Sequence, residues 1–300
     1  MLVTLILSGW TTLNAVATDA IESDGSMRLI TLAPHLTELV YTVGAEDRLV
    51  GVIEWSDYPT DALAMPRIGD AFRMNLERIV ALGTTHALSW VGGTPSSSAA
   101  QLEAIGIELI PIDIRSLDDI ASAMQVLGNR LGTSETAQTA IEAFTRARAD
   151  LTADSGSKTP VRVFYQVAKQ PLYTLGGEHV INEVFSLCGA RNVFEDLAVP
   201  AGIISPEAVI IAQPQALIAG AQRDPNLEDR GQAMSAPLAY WQQFEALPAV
   251  ACGHTWTVDP ALLIRPTPRI LEGAAALCRW LDGIRPALAE DPACSSVGVQ

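Results

Sequence analysis

The chain has 300 residues, of which 49% are hydrophobic and 18% are charged, and its formal net charge at pH 7 is -15. This composition is typical of a globular protein with one large core or two medium cores. The acidic balance argues against nucleic acid as a partner, because phosphate binding needs a basic surface, and it does not favour an anionic membrane. The charge itself is interpreted as a source of solubility.

The N-terminus resembles a secretory signal peptide over residues 1–17. It has an apolar run from Leu2 to Leu7 and small residues at Ala15 and Ala17, although the usual basic residues before the run are missing. The run is too short and too interrupted for a membrane-spanning helix. The cleavage site has no cysteine, so a lipid anchor is not expected. The pattern therefore predicts export, and the alternative is a buried N-terminal strand.

Strands and helices alternate through the first part of the chain. Strands are predicted at 28–33, 47–55 and near 107–113, and helices at 34–44, 96–105 and 116–132. Such alternation is typical of a parallel sheet with helices on its faces. We therefore expect an N-terminal α/β lobe over residues 27–133.

A long helix rich in Ala, Glu and Arg is predicted for residues 134–155, before the break at "DSGSKTP". A second α/β series begins at "VRVFYQVA" and closes with the helix "PRILEGAAALCRWL". We expect a C-terminal lobe over residues 160–286, with a frayed tail at 287–300.

Two stretches of the sequence, 75–90 and 205–220, align with each other without a gap. Each begins with a residue suited to a helix N-cap, Asn75 or Ser205, and each has a glutamate in the first turn, Glu77 or Glu207. Each ends in a short apolar run that predicts a buried strand. A unit of this length, present twice and far apart, favours two similar lobes over a solenoid.

The predicted fold is α/β, with two Rossmann-like lobes whose central sheets are mostly parallel, joined by one long backbone helix. In such sheets the ligand lies off the carboxyl ends of the strands, which places a cleft between the lobes. Predicted strands end at Trp55 and Trp90, Tyr173 lies in the loop after another strand, and Gly92-Gly93 permits close approach to the backbone. Each aromatic residue alone fits core packing, but their recurrence at strand ends favours a ligand-binding face.

Six segments carry a resemblance to a known family: "RLITLAPHLTEL", "VGVIEWSDYP", "MNLERIVAL", "LSWVGG", "VFSLCGARNVF" and "PRILEGAAALC". The chain resembles the periplasmic cobalamin-binding proteins of ABC importers, within the wider group of haem, siderophore and corrinoid binding proteins, over roughly residues 27–282. The "SDYP" and "MNLERIVAL" segments are the more specific to the corrinoid branch. The resemblance implies a monomeric, non-enzymatic periplasmic protein without a cofactor. It would bind a corrinoid, first of all cobalamin, move its lobes little, and deliver the ligand to an inner-membrane permease dimer.

The resemblance also implies roles for individual residues. Ligand contacts are expected from Trp55, Phe72, Trp90, Gly92, Gly93, Tyr173 and Arg265. Tryptophans of the family pattern are replaced here by Ala71, with Phe72 beside it, by Ala201, and near Leu262. Glu77 and Glu207 are expected to meet arginine pockets on the two permease subunits, and the alternative is simple compensation of the helix dipole.

Four cysteines lie in the second half of the chain, and the residues alone leave three pairings open. Export makes disulfides chemically reasonable, and none of the cysteines has the C-x-x-C spacing of a zinc or redox site. The family resemblance pairs Cys188 with Cys278, which leaves Cys252 and Cys294 as the remaining pair.

Two alternative functions are considered. A haem or ferric-siderophore protein of the same fold would need an axial donor, and Tyr58, Tyr173 and His35 are the candidates. His35 is interpreted as a helix-start histidine, with an approach to cobalt or a phosphate as the weaker hypothesis. An enzyme acting on a corrinoid is disfavoured because no common catalytic motif is present. The adjacent Glu178 and His179 are expected to point apart on a helix, and His86, His179 and His254 are interpreted as structural or surface residues.

Overall fold

A computed structural model describes residues 27–155, 158–221 and 236–295. The predicted signal peptide at residues 1–17 lies outside these ranges, as do the last residues of the predicted tail. Within the described ranges, every helix is too short or too polar to span a membrane.

The first lobe contains a four-stranded parallel sheet in the order β2-β1-β3-β4. Its strands are β1 (Leu29–Thr31), β2 (Leu49–Val52), β3 (His86–Trp90) and β4 (Glu108–Ile112). Its helices are α1 (Pro34–Thr42), α2 (Leu76–Ala81), α3 (Ser96–Ala104) and α4 (Leu117–Leu131), with 3-10 helices at Glu46–Arg48 and Thr60–Ala64. All three residues of β1 are buried, as expected for a strand covered by helices on both faces.

Local signals in the sequence define α4 at both ends. The Ser116 hydroxyl accepts from the Asp119 amide and the Asp119 carboxylate accepts from the Ser116 amide, which together form a capping box. Gly132 ends the helix in the left-handed conformation at φ 75°. The predicted capped helix is therefore confirmed.

The helix α5 (Ser134–Ser155) leads to the second lobe, whose sheet has the order β10-β9-β5-β6-β8, with β7 pairing with β5. Its strands are β5 (Val161–Lys169), β6 (Leu172–Leu175), β7 (Ala190–Asn192), β8 (Ala201–Ile203), β9 (Ala216–Gly220) and β10 (Thr255–Val258). Its helices are α6 (Ile181–Leu187), α7 (Pro206–Ala212), α8 (Pro248–Ala251) and α9 (Ile270–Glu290), with 3-10 helices at Ala236–Gln243 and Pro260–Leu262. Strand β6 runs antiparallel to both of its neighbours, β5 and β8, and the other pairs of described strands in this sheet are parallel.

The end of the second lobe differs from the sequence expectation. A frayed tail was predicted from residue 287, but α9 continues through Pro286 to Glu290. Cys294, beyond the helix, is only 2% exposed and forms a disulfide with Cys252. This covalent bond holds the chain beyond α9 against the lobe.

The two aligned stretches form the same structure at equivalent positions. Asn75 Oδ1 accepts from the Arg78 amide at 2.9 Å, and Ser205 Oγ accepts from the Ala208 amide at 3.2 Å, so both predicted N-caps are confirmed. The helices α2 and α7 lead into β3 and β9, each of which pairs with the first strand of its lobe. The repeat is therefore a shared building unit of two similar lobes.

Helix α5 connects the lobes through a charged side chain. Arg148 lies 2.5 Å from the Asp118 carboxylate in α4 and 3.8 Å from the Glu183 carboxylate in α6. Glu183 also accepts from the Leu117 amide at 3.1 Å. The start of α4 in one lobe is thereby bonded to α6 in the other.

A second connection between the lobes forms around Glu38 of α1, which is only 2% exposed. Its carboxylate accepts from the Thr267 hydroxyl at 2.7 Å and from two Arg269 nitrogens at 2.6 and 3.0 Å. Both partners lie in the loop before α9, in the opposite lobe. A buried carboxylate that loses these partners would remain as an unpaired charge, so the contact opposes any rotation of the lobes.

We predict that Glu38→Ala lowers the free energy of unfolding by about 3 kcal/mol, because it leaves the Arg269 guanidinium without its buried partner. Urea denaturation at neutral pH measures the change. The control is Glu142→Ala, which breaks the exposed Glu142–Arg146 pair on α5 and is expected to cost under about 0.5 kcal/mol. Equal effects of the two substitutions would contradict the prediction.

Candidate ligand-binding cleft

A cleft of about 640 Å³ lies between the lobes. It is lined from the first lobe by Pro34, His35, Trp90, Val91, Gly92, Asp113, Ile114 and Arg115, and from the second by Leu175, Glu178, His179, Val180, Pro200, Ala201, Ile264, Arg265 and Pro266. Several of these residues end or follow the strands β3, β4 and β6. The cleft therefore occupies the place expected for a ligand in open α/β sheets.

Trp90, at the end of β3, forms the aromatic wall of the first lobe and is 40% exposed. Its ring meets the His35 ring edge to face, with centroids 5.1 Å apart. Gly93 lies against the indole so closely that a Cβ there would overlap the ring. The absence of a side chain at Gly93 thus leaves room for the Trp90 indole, whereas Gly92, at φ 83°, lines the cleft itself.

Both arginines of the cleft are already paired with aspartates. Arg265 donates to Asp57 Oδ1 at 2.6 Å and to the Trp55 carbonyl at 3.3 Å, and so bridges the two lobes. Arg115 donates from Nε to Asp113 at 3.1 Å within the first lobe. The cleft consequently presents little uncompensated positive charge.

His35 lines the cleft at the start of α1 and is 4% exposed. Its Nε2 atom is buried and has no hydrogen-bond partner among the described residues. Burial lowers the pKa of His35 to about 3, and the positive charge of Arg265 acts in the same direction. The imidazole is therefore neutral at physiological pH.

His179 lines the opposite wall, with Glu178 beside it. Its Nδ1 accepts from the Ile181 amide at 3.0 Å, which assigns the ring proton to Nε2, and burial lowers its pKa to about 4. The expectation that Glu178 and His179 point apart on a helix is wrong, because both precede α6 in a turn. Their position just after β6 is the sequence signal that would have placed them at the cleft.

The structure does not bring every expected ligand residue to the cleft. Trp90, Gly92 and Arg265 line it, but Trp55, Phe72, Gly93 and Tyr173 are outside the lining. Trp55 is 69% exposed and Phe72 is 84% exposed, both on loops of the first lobe. Tyr173 lies on β6 opposite Ile203 of β8. Tyr58 lies beneath the Arg269 guanidinium, 3.5 Å from the ring centroid.

Glu77 and Glu207 are exposed in the first turns of α2 and α7, at equivalent positions of the two lobes. Hydrogen bonds from its own backbone amide and from the Ser205 hydroxyl lower the pKa of Glu207. An exposed carboxylate is therefore presented to solvent on each lobe, and that of Glu207 is held by hydrogen bonds.

Cys188 and Cys278 form a disulfide that ties the end of α6 to α9, with Cα atoms 4.5 Å apart. Together with the Cys252–Cys294 bond, this accounts for all four cysteines. The remaining histidines lie away from the cleft. His86 contacts Glu108 at 3.5 Å, and His254 contacts the Gln215 carbonyl at 3.2 Å.

The stability of the protein should depend on pH through His35. Above about pH 6.5 the ring is neutral in both folded and unfolded chains, whereas below it only the unfolded chain gains the proton. Relative to His35→Phe, the wild type should therefore lose about 2 kcal/mol of unfolding free energy between about pH 7 and about pH 5. Urea denaturation measures this difference. The difference in unfolding free energy between the wild type and His35→Phe should not change between about pH 7 and about pH 8. If the difference is also constant between about pH 7 and about pH 5, the lowered pKa of His35 is refuted.

The fold and the cleft define a two-lobed solute-binding protein with a helical backbone. Residues 29–262 match the family described as Periplasmic binding protein, and the chain belongs to this family. A protein named Vitamin B12-binding protein from Vibrio cholerae serotype O1 is 34% identical over 255 residues, which cover 85% of this chain and 88% of that protein. A protein of the same name from Pectobacterium carotovorum is 33% identical over 261 residues, covering 86% and 90%.

Solved structures agree with this assignment. The crystal structure of the periplasmic vitamin B12 binding protein BtuF of Vibrio cholerae has a TM-score of 0.76 and 34% identity, covering 86% of this chain and 97% of that one. The periplasmic haem-binding protein BhuT has a TM-score of 0.74 at 20% identity, covering 86% and 99%, and shows the shared fold alone. The predicted two-lobed α/β architecture is confirmed.

Proposed function

We propose that this chain is a periplasmic binding protein that captures a corrinoid, with cobalamin as the first candidate, and delivers it to an ABC importer permease. The observation that carries this proposal is an interlobe cleft with an aromatic wall, in a chain similar along most of its length to proteins named for vitamin B12 binding. Export through the signal peptide at residues 1–17 would bring the protein to the compartment where such relatives act.

The polar groups of the cleft suit the rim of a corrin ring. Corrin side chains end in neutral carboxamides, which both donate and accept hydrogen bonds. The neutral rings of His35 and His179 offer matching donors and acceptors on opposite walls. Trp90, Pro34 and Ile264 supply apolar surface for the macrocycle.

Haem is the alternative ligand, and His35 is the observation that favours it. Its buried, unpartnered Nε2 is the kind of atom that can bind iron. Haem also carries two propionate anions, however, and the arginines that would receive them are paired with Asp57 and Asp113. Tyr58 is held beneath Arg269 and Tyr173 is outside the cleft lining, so neither is well placed as an axial donor.

Calorimetric titration of the mature protein with cyanocobalamin, cobinamide and haemin tests the proposal. We expect one-to-one binding of both corrinoids and weaker binding of haemin. If only haemin gives heat on binding, the protein is a binding protein whose ligand is haem and not a corrinoid. If the pure protein converts a corrinoid into a product, it is an enzyme and not a binding protein.

The aromatic wall should dominate corrinoid affinity. Trp90→Ala is predicted to weaken cobalamin binding at least about tenfold, since truncation of a central aromatic contact commonly costs about 2 kcal/mol or more. Trp256→Ala is the matched control, because Trp256 stacks on Trp280 away from the cleft. Circular dichroism should show that both variants are folded. Equal affinities in the two variants would exclude Trp90 as a ligand contact.

The exposed carboxylates Glu77 and Glu207 are proposed to dock the protein on the permease. Their equivalent positions on two similar lobes suit a partner with two-fold symmetry. The double variant Glu77→Lys with Glu207→Lys should reduce cobalamin uptake at least about tenfold in cells that carry the cognate permease, while calorimetry shows normal cobalamin affinity.

The control for docking makes the same charge change elsewhere. Glu103→Lys with Glu135→Lys alters exposed glutamates of α3 and α5. Uptake through this control should match the wild type. If both double variants reduce uptake alike, the loss reflects net charge and not a docking contact.

A further inference from the structure

The "SDYP" segment at residues 56–59 has contacts with both lobes. Ser56 is 1% exposed and shares a hydrogen bond of 2.9 Å with Thr37 in its own lobe. Asp57 bonds Arg265, and the Tyr58 ring lies beneath Arg269, both in the opposite lobe. The segment is therefore held in a defined place before any ligand arrives.

Asp57 forms an ion pair with Arg265, the cleft arginine that could otherwise bind an anionic ligand. The Asp57–Arg265 distance is 2.6 Å, within the range of a charge-assisted hydrogen bond. The Arg265 side chain is 18% exposed, whereas that of Asp57 is 57% exposed. Asp57 is thus the more exposed member of the pair, and it bonds Nη1 of the Arg265 guanidinium.

The other charges of the cleft reinforce this effect. Arg115 is paired with Asp113, and Glu178 adds a further negative charge to the lining. A ligand carboxylate entering here must displace Asp57 from Arg265 while it is repelled by the carboxylates around it. A carboxamide has no such conflict, because it carries no charge.

We propose that Asp57 is a specificity-determining residue that excludes ligands with anionic side chains by holding the Arg265 guanidinium. This inference rests on the proposed function and extends it, since it names the chemical class that the cleft selects. The cleft accepts a macrocycle whose side chains end in neutral amides and rejects the same macrocycle with carboxylate side chains. Specificity of this kind depends on a repulsive element as well as on attractive contacts.

The test compares two corrins that differ in side-chain charge. Cobinamide carries carboxamides, and cobyrinic acid carries carboxylates on the same ring. In Asp57→Asn, the ratio of cobyrinic acid affinity to cobinamide affinity, measured by calorimetry at neutral pH, should rise at least about tenfold over the wild-type ratio. An unchanged ratio would overturn the proposal.

Two further variants test whether the rise in the affinity ratio depends on Arg265 or on net charge. Adding Arg265→Gln to Asp57→Asn should return the ratio to its wild-type value, because no cation is then freed. Asp282→Asn, which removes a carboxylate bonded to Lys158 and Arg285 outside the cleft, should leave the ratio unchanged. A rise in Asp282→Asn equal to that in Asp57→Asn would attribute the effect to net charge and overturn the proposal.

A second ligand pair separates this inference from the proposed function. If cobinamide does not bind the wild type, the corrinoid assignment fails, and haemin is then compared with its dimethyl ester. Asp57→Asn should raise affinity for haemin, whose propionates are charged, and not for the ester. An equal gain for both ligands, or no gain for haemin, would overturn the role of Asp57.

Discussion

The buried carboxylate of Glu38 determines how the two lobes face each other. It belongs to the first helix of one lobe, and its hydrogen-bond donors, Thr267 and Arg269, belong to the last loop of the other. A charge with 2% exposure cannot exchange these partners for water at low cost. Because Arg148 of α5 joins the lobes at a second place, rotation about either contact strains the other. The two contacts together oppose a change in the width of the cleft.

Resistance to lobe rotation, which the family resemblance also implies, has consequences for both the ligand and the permease of the proposed function. The ligand meets a preformed surface, so less binding energy is lost to ordering the protein. The loop that carries Thr267 and Arg269 also carries Arg265, so the contact that joins the lobes positions a side chain of the cleft. In the docking proposal, lobes that resist rotation would hold Glu77 and Glu207, on equivalent helices, at a separation that a symmetric partner could match.

The electrostatics of the cleft differ from those of the chain as a whole. The chain has a net charge of -15, but the cleft holds two neutral histidine rings and two arginines that are each paired. Burial keeps the histidines uncharged, and the aspartates occupy the guanidinium groups. Apart from the carboxylate of Glu178, the charges of the lining are paired, and such a polar surface suits a large neutral ligand that has many amides and apolar faces.

The sequence by itself determined the helices, the strands and their alternation, because periodicity and N-caps such as Asn75 and Ser205 depend on neighbouring residues alone. It also determined the duplicated unit and the position of Trp90 at the end of a strand, whereas the role of Arg265, in a loop, came from the family resemblance. Only the tertiary structure decided which loop side chains reach the cleft, since loops such as those of Trp55 and Phe72 follow no periodicity. It also decided the pairs Glu38–Arg269 and Asp57–Arg265, whose members are more than two hundred residues apart, because such contacts exist only once both lobes are folded and packed together.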